Sequence, residues 1–398
     1  MRVQAITTES DWQRLEPDWD ALVERSASAT VFLTWEWLRP WWRHFARRGD
    51  ELAILAAREG DTLVGLAPLY RSRVAASHRL GSLRRLGAIG DRSGDSEYLD
   101  FAIEPGREAH VLPAFLDAIE RDERGWDLLH FHLMPAASPN LEPLRRFAAG
   151  RGWLVESRSV PCLAIRLPGD WEQYLATLQP RFRSKLRSLD RKFAADSGAA
   201  FEMCTDVAAL PERLESLFAL HQRRWRTAGK PGAFADAARR GFYGEMGAAF
   251  LRRGWLRFWS LRLGGRFVAH EFSFEHLGHV YFLQQAYDIA CSDQNVGTAL
   301  KAHVIRQSIG SGARVYDFLA GAAPYKQRWG AASGECVQLT LGRPAARARL
   351  HLGLRRLAER ARERGRALTP APLLRLKRGT QEWLRRRRVR PEGQGDPE

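Results

Sequence analysis

Apolar and polar positions along this chain fall into two stretches with the same order of periods. In the first, helical spacing runs through Trp12 to Arg25 and again through Thr34 to Arg48. ELAILAAREGDTLVGLAPLYR then alternates as two strands that turn near Gly60 and Asp61, and YLDFAI adds a further strand. A helix is predicted from Arg107 to Arg121, ahead of the strand WDLLHFHL. In the second stretch a basic helix, PRFRSKLRSLDRKF, leads through amphipathic segments from Leu210 to Arg226 and Phe234 to Arg252. LRFWSLRLGGRFVAHEFSFEH turns at Gly264 and Gly265, HVYFLQQAYD follows as a long strand, and a helix starts at about Val296 before the strand RVYDFLA. Arg58, Gly60 and Val64 fall opposite Arg262, Gly264 and Val268, and the shared order reads as a duplicated α/β unit.

A length of 398 residues suits two domains, expected at 1–165 and 166–342. From 343 to 398 the composition shifts to Arg, Ala and Leu, and 11 of the 16 net positive charges lie there. Leu350, Leu354, Leu357 and Ala361 recur at helical spacing, Pro370 and Pro372 interrupt any longer helix, and Arg385 to Arg388 form a cationic cluster. Such a tail is a solvated appendage or an anchor for anionic membrane, with nucleic acid as a third option. No run of about 18 apolar residues occurs and MRVQAITTESDW lacks the apolar core of an export signal, so a cytoplasmic location is expected, with peripheral contact to the cell membrane at most. Cys162, Cys204, Cys291 and Cys336 are too scattered for a zinc knuckle or disulfide framework and read as buried free thiols. His130 and His132 alternate in LLHFHLM with no third ligand in view, so they read as strand histidines and no metal is expected.

The chemistry concentrates where HVYFLQQAYD gives way to the helix at Val296. Gln294-x-x-Gly297-x-Ala299 stands at that junction, where backbone N–H groups and the positive end of a helix dipole converge as a pyrophosphate requires. The bland alternative is a helix start built of small residues. The spacing, with the long strands before and the strand after, resembles motif A of the GNAT superfamily. That implies that Gln294, Asn295, Val296, Gly297, Thr298 and Ala299 bind the pyrophosphate of acetyl-CoA or another acyl-CoA.

Downstream, Val315-Tyr316-Asp317-Phe318-Leu319-Ala320-Gly321 and Pro324-Tyr325-Lys326-Gln327-Arg328-Trp329-Gly330 resemble the YDF-x-x-G and YK-x-x-W-G signature of CelD-like acetyltransferases. Fem-type aminoacyltransferases carry a related version with a lysine matching Lys326. Arg181, Arg183, Lys185 and Arg187, then His221, Arg224 and Trp225, agree with the same family, as do TWEWLRPWWRHF and LVGLAPLYR, so the likeness spans about 12 to 342. It implies two tandem GNAT-like domains, each a mixed, mostly antiparallel sheet flanked by helices, with the basic helical tail appended. The first would lack a donor loop, since its matching place reads AIEPGRE.

Transfer from a thioester needs a polarised carbonyl, a deprotonated nucleophile and a managed thiolate. The resemblance implies direct attack by the acceptor, with main-chain donors of HVYFLQQAYD polarising the carbonyl. Candidate bases are Glu271 and Glu275 on RFVAHEFSFEH, Asp288, and Asp317; strand alternation puts Glu271, Glu275, Ala269 and Ser273 on one face, either the acceptor cleft or the solvent face. Asp317 is a base or a structural carboxylate at a strand end. Tyr325 and Lys326 are candidates to serve the thiolate or an anionic acceptor, with Lys326 near the carbonyl by the Fem-type resemblance. Arg183, Lys185 and Arg224 suit phosphate or carboxylate groups of an acceptor beside Trp225, unless they are a solvated helix face and Trp225 is core. The leading expectation is an acyl-CoA-dependent N-acyltransferase for an amino sugar, free or linked to lipid or nucleotide, in exopolysaccharide or cell-envelope synthesis. An aminoacyl-tRNA-dependent transferase and a non-catalytic membrane scaffold are the alternatives; the first reading needs no nucleic acid.

Overall fold

The computed structural model describes residues 1–76, 81–227, 229 and 231–367. The first half runs β1 (Arg2–Ile6), α1 (Glu9–Gln13), α2 (Glu16–Arg25), α3 (Trp35–Phe45), β2 (Glu51–Leu52), β3 (Ile54–Glu59) and β4 (Thr62–Ala67). It continues through β5 (Leu69–Ala75), β6 (Ser82–Ala88), β7 (Ala102–Ile103), α4 (Glu108–Glu120), β8 (Leu128–Pro135) and α5 (Leu141–Gly150). β9 (Leu154–Arg166) crosses into the second half, which adds α6 (Trp171–Thr177), α7 (Pro180–Ala195), β10 (Ala199–Met203), α8 (Leu210–Thr227) and α9 (Ala237–Arg252). There follow β11 (Leu256–Leu263), β12 (Arg266–His276), β13 (His279–Tyr287), α10 (Val296–Gly310), β14 (Val315–Ala320), α11 (Pro324–Arg328), β15 (Ala332–Gly342) and α12 (Ala346–Ala367).

This is a mixed α/β fold with two sheets. One has the order β1-β3-β4-β7; the other has eleven strands in the order β10-β11-β12-β13-β14-β9-β15-β8-β6-β5-β2 and runs through both halves. Residue 165 lies inside β9, which pairs with β14 on one side and β15 on the other, and β15 in turn pairs with β8. The halves also share a core, because Trp12, Trp19, Trp37 and Trp41 of the first pack in one apolar cluster with Leu217, Phe242, Phe250 and Phe272 of the second.

Both anticipated hairpins are present. Gly60 (φ +58°) lies between β3 and β4, and Gly264 (φ +53°) with Gly265 (φ +79°) joins β11 to β12, backbone that side chains bearing a Cβ resist. Two expectations need correction. The helix from Trp12 to Arg25 is two helices, with a break after Gln13 and Pro17 in the first turn of α2. Of YLDFAI only Ala102 and Ile103 pair as strand. The buried carboxylate of Asp100 there accepts hydrogen bonds from Ser28 Oγ (2.7 Å), Asn140 Nδ2 (3.0 Å) and Ser138, so side chains rather than a ladder hold the segment.

In the basic tail α12 buries Ala348 and Leu352 against Leu83 and Leu128, while Leu350 and Leu357 are exposed, so the packed face is offset from the leucine stripe read in the sequence. Pro370, Pro372 and Arg385 to Arg388 lie outside the described residues. No helix among the described residues is long and apolar enough to cross a membrane.

Candidate active site

β13 and β14 run parallel and pair from His279–Tyr281 to Val315–Asp317, after which the ladder stops while both strands go on. From Phe282 onward β13 is paired with β12 alone, so its other edge faces an open wedge. A cavity of about 460 Å³ fills that wedge. β13 supplies Phe282 to Gln285 and Tyr287; the start of α10 supplies Asn295 to Thr298, and Lys301 one turn further in. α8 closes one side with His221, Arg224 and Trp225, and α11 with its C-cap residue closes the other with Tyr325, Arg328 and Trp329.

The mouth of the cavity is the N-terminus of α10. Asn295, the N-cap, adopts a left-handed φ of +58°, and its carbonyl accepts the N–H groups of Thr298 (2.9 Å) and Ala299 (3.0 Å). Among the described residues the N–H groups of Val296 and Gly297 have no hydrogen-bond partner, and the first turn carries no acid, so the positive helix end is uncompensated. Gly297 serves close packing: a Cβ there would stand 3.0 Å from the Tyr287 ring. Lys185 of α7 reaches this rim, donating to Asn295 Oδ1 at 2.6 Å, whereas half-buried Arg183 does not line the cavity. Gln294 and Ala299 flank the lining residues without joining them.

Deeper in the wedge the candidate base Glu271 joins a polar group whose lysine, Lys301, sequence reasoning missed. Lys301 Nζ donates to Glu271 Oε2 (2.8 Å) and Tyr316 Oη (3.0 Å), and Tyr316 Oη donates to Glu271 Oε1. Gln285 Nε2 ties Glu271 Oε2 (3.3 Å) to the Gly297 carbonyl (2.9 Å). Burial pushes the Lys301 amine down and the Tyr316 phenol up, while the Glu271 carboxylate pulls Lys301 back toward its charged form. The hint in the sequence was a single lysine in the largely apolar helix start VGTALKAHVI. Ala269, Glu271 and Ser273 are all buried, which excludes the solvent-face alternative for that strand.

Asp317 and Lys326 are on the other side of β14 and line no part of this cavity. Asp317 accepts from Tyr98 Oη (2.8 Å) and the Leu319 N–H (2.7 Å) and meets His279 Nε2 (3.0 Å); it borders a separate cavity of about 290 Å³. Lys326 Nζ donates to the carbonyls of Leu319 (3.0 Å) and Ala320 (2.8 Å), and Glu97 accepts the Ala320 N–H at 2.6 Å. These bonds hold Leu319 at φ +62°, a costly conformation for leucine, where β14 leaves its ladder. Burial raises the Glu97 carboxyl to about 8 and lowers the Lys326 amine.

The two other candidate carboxylates are engaged elsewhere. Glu275 pairs with Arg257 (3.1 Å), and Asp288 caps the turn at Ala290 (3.1 Å) beside Arg223 (3.6 Å). Arg224 stacks over the Tyr287 ring at 5.2 Å, within the cavity wall. His221, on the same wall, is buried, and that burial with Arg224 and Arg239 nearby lowers it to about 4. His130 meets Thr340 Oγ1 (2.9 Å) across the sheet and is lowered to about 3 by burial, as a neutral strand histidine would be. The four cysteines are buried and free.

Residues 180–327 match a family model described as an acetyltransferase (GNAT) domain. The chain therefore carries a GNAT acyltransferase domain, and the match runs from the first residue of α7 into α11, enclosing nearly the whole cavity wall. No curated protein matches the chain. Among solved structures, FemX superposes with a TM-score of 0.58 at 13% identity, over 85% of this chain and 97% of that one. A conserved protein of unknown function from Bacteroides thetaiotaomicron gives 0.52 at 13%, over 82% and 97%. The C-terminal domain of a candidate lysylphosphatidylglycerol synthetase from Agrobacterium fabrum gives 0.52 at 10%, over 85% and 94%. At such identities the likeness concerns the fold.

Proposed function

We propose that this protein is a CelD-like acyltransferase that moves a short acyl group, acetyl in the first instance, from coenzyme A to the amine of an amino sugar of exopolysaccharide or cell-envelope synthesis. The observation that carries this reading is the continuity of one cavity from the uncompensated N-terminus of α10 to the point where β13 and β14 part. Val296 and Gly297 would offer their N–H groups to a pyrophosphate, with Lys185 at the rim. β13, unpaired on its wedge side, would offer main-chain donors to the thioester carbonyl.

The acceptor enters against α8. Arg224 and Arg328 line the cavity, and among the described residues no Asp or Glu does, which suits an acceptor bearing phosphate or carboxylate. With Glu271 held by Lys301 and Tyr316, the neutral imidazole of His221 is the group in the wall fitted to take a proton from the attacking nucleophile. Tyr325, in the cavity wall and with its phenol raised by partial burial, stays protonated and suits the thiolate. Exposed Leu350 and Leu357 on basic α12 support peripheral contact with anionic membrane.

Calorimetric titration of acetyl-CoA into wild type and Gly297→Asp tests the donor site. Loss of binding in a folded variant supports it; wild type that binds no acyl-CoA overturns it. The fold likeness to FemX favours one second reading, an aminoacyl-tRNA donor, which predicts binding of charged tRNA in place of acyl-CoA. A scaffold would bind neither.

A further inference from the structure

The blind end of the wedge is charged where an aliphatic lining would be cheaper. Lys301 and Glu271 are 2% and 0% exposed, and a buried pair of this kind gives up two hydration shells that an apolar pair of similar volume would not. Two of the three Nζ protons go to Glu271 and Tyr316, and the third side of the ammonium faces the Phe282 ring, 3.4 Å from its centroid. The pair is therefore neutral overall and fully engaged, and offers no net attraction to an anionic acyl group.

Its position matches the end of a donor path. Phe282 is the first residue of β13 beyond the ladder with β14, and Tyr287 flanks the helix mouth; at about 3.3 Å per residue they are ~16 Å apart along the strand. Lys301 lies one turn, about 6 Å, below Gly297 on α10. An arm that starts from a pyrophosphate at Gly297 and follows β13 brings its acyl group against Phe282 and Lys301.

Resting on the acyl-CoA reading, we propose that the Lys301–Glu271 pair sets acyl-chain length, admitting acetyl and excluding medium aliphatic chains. A longer chain must push Lys301 off Glu271 and leave a buried carboxylate without its counter-charge, which acetyl does not require.

The test is calorimetric titration of the full chain with acetyl-, butanoyl- and octanoyl-CoA, in wild type and in the double variant Lys301→Met/Glu271→Gln, which removes both charges together. Wild type should bind acetyl-CoA at least tenfold more tightly than octanoyl-CoA, and the double variant should shrink that ratio at least tenfold. An unchanged ratio in the folded variant overturns the proposal while leaving the donor site standing. Wild type that binds octanoyl-CoA as tightly as acetyl-CoA overturns it without recourse to the variant. Wild type that binds none of the three removes the donor reading itself, and this proposal with it.

Discussion

The two halves each place a helix N-terminus after a hairpin and a further strand, and they finish it in opposite ways. At α4 the first turn carries Glu108, whose carboxylate accepts the Gly106 N–H at 2.8 Å, and Glu104 sits beside it within reach of Arg107. The chain has filled its own anion site. At α10 the first turn has no acid, the N-cap side chain makes no capping bond, and a cavity opens in front. The same dipole is consumed internally in one half and left available in the other, so chain order alone does not say which half works. The first half contributes instead as a prop, with Glu97 and Tyr98 bonded to the end of β14.

The largest expected effect tests that prop. Lys326→Met leaves the buried carbonyls of Leu319 and Ala320 without their donor and should cost about 3 kcal/mol in urea unfolding, with donor turnover per folded molecule nearly unchanged. A loss of turnover beyond tenfold at unaltered stability would instead return Lys326 to the chemistry. Next, Thr298→Glu gives α10 the acid that α4 already has. Acetyl-CoA affinity should fall about tenfold at low salt and recover partly at high salt, and unchanged affinity would mean that the helix end is not the anion site. A third effect is a pH slope. Glu97 is raised in the folded state to about 8, so between its unfolded value, near 4.5, and 8 the folded protein holds a proton that the unfolded chain has released. Stability should therefore decline as pH rises through that window, and Glu97→Gln should flatten the decline by a few degrees of melting temperature.

What the sequence exposed was whatever local chemistry dictates. Alternation around Gly60 and around Gly264–Gly265, the long apolar face of HVYFLQQAYD and the small residues at Gly297 each need only neighbours within the same segment, and each lies where it was expected. β9 and β15 were not visible, because ESRSVPCLAIR is polar along much of its length and its partner strand is more than a hundred residues away. The signature residues Asp317 and Lys326 were legible as important but not as to which side of β14 they serve; a single residue of alternation separates Asp317 from Tyr316, which does face the wedge network, and Lys326 comes from α11. Lys301 was hidden for a related reason. Its partner Glu271 lies on another element, and pairing across elements leaves no periodic trace.

The place of β15 has a consequence for synthesis. This strand, nearly the last of the described chain, lies between β9 and β8, so the edges of both wait for residues 332–342 to arrive. During translation at roughly 5–20 residues per second, β8 emerges many seconds before its neighbour, carrying an unpaired, largely buried-type strand edge. The nascent chain must either shield that edge by other means or remain open until the central strand slides in, and a truncation before residue 332 would leave the exposed edge as a permanent feature.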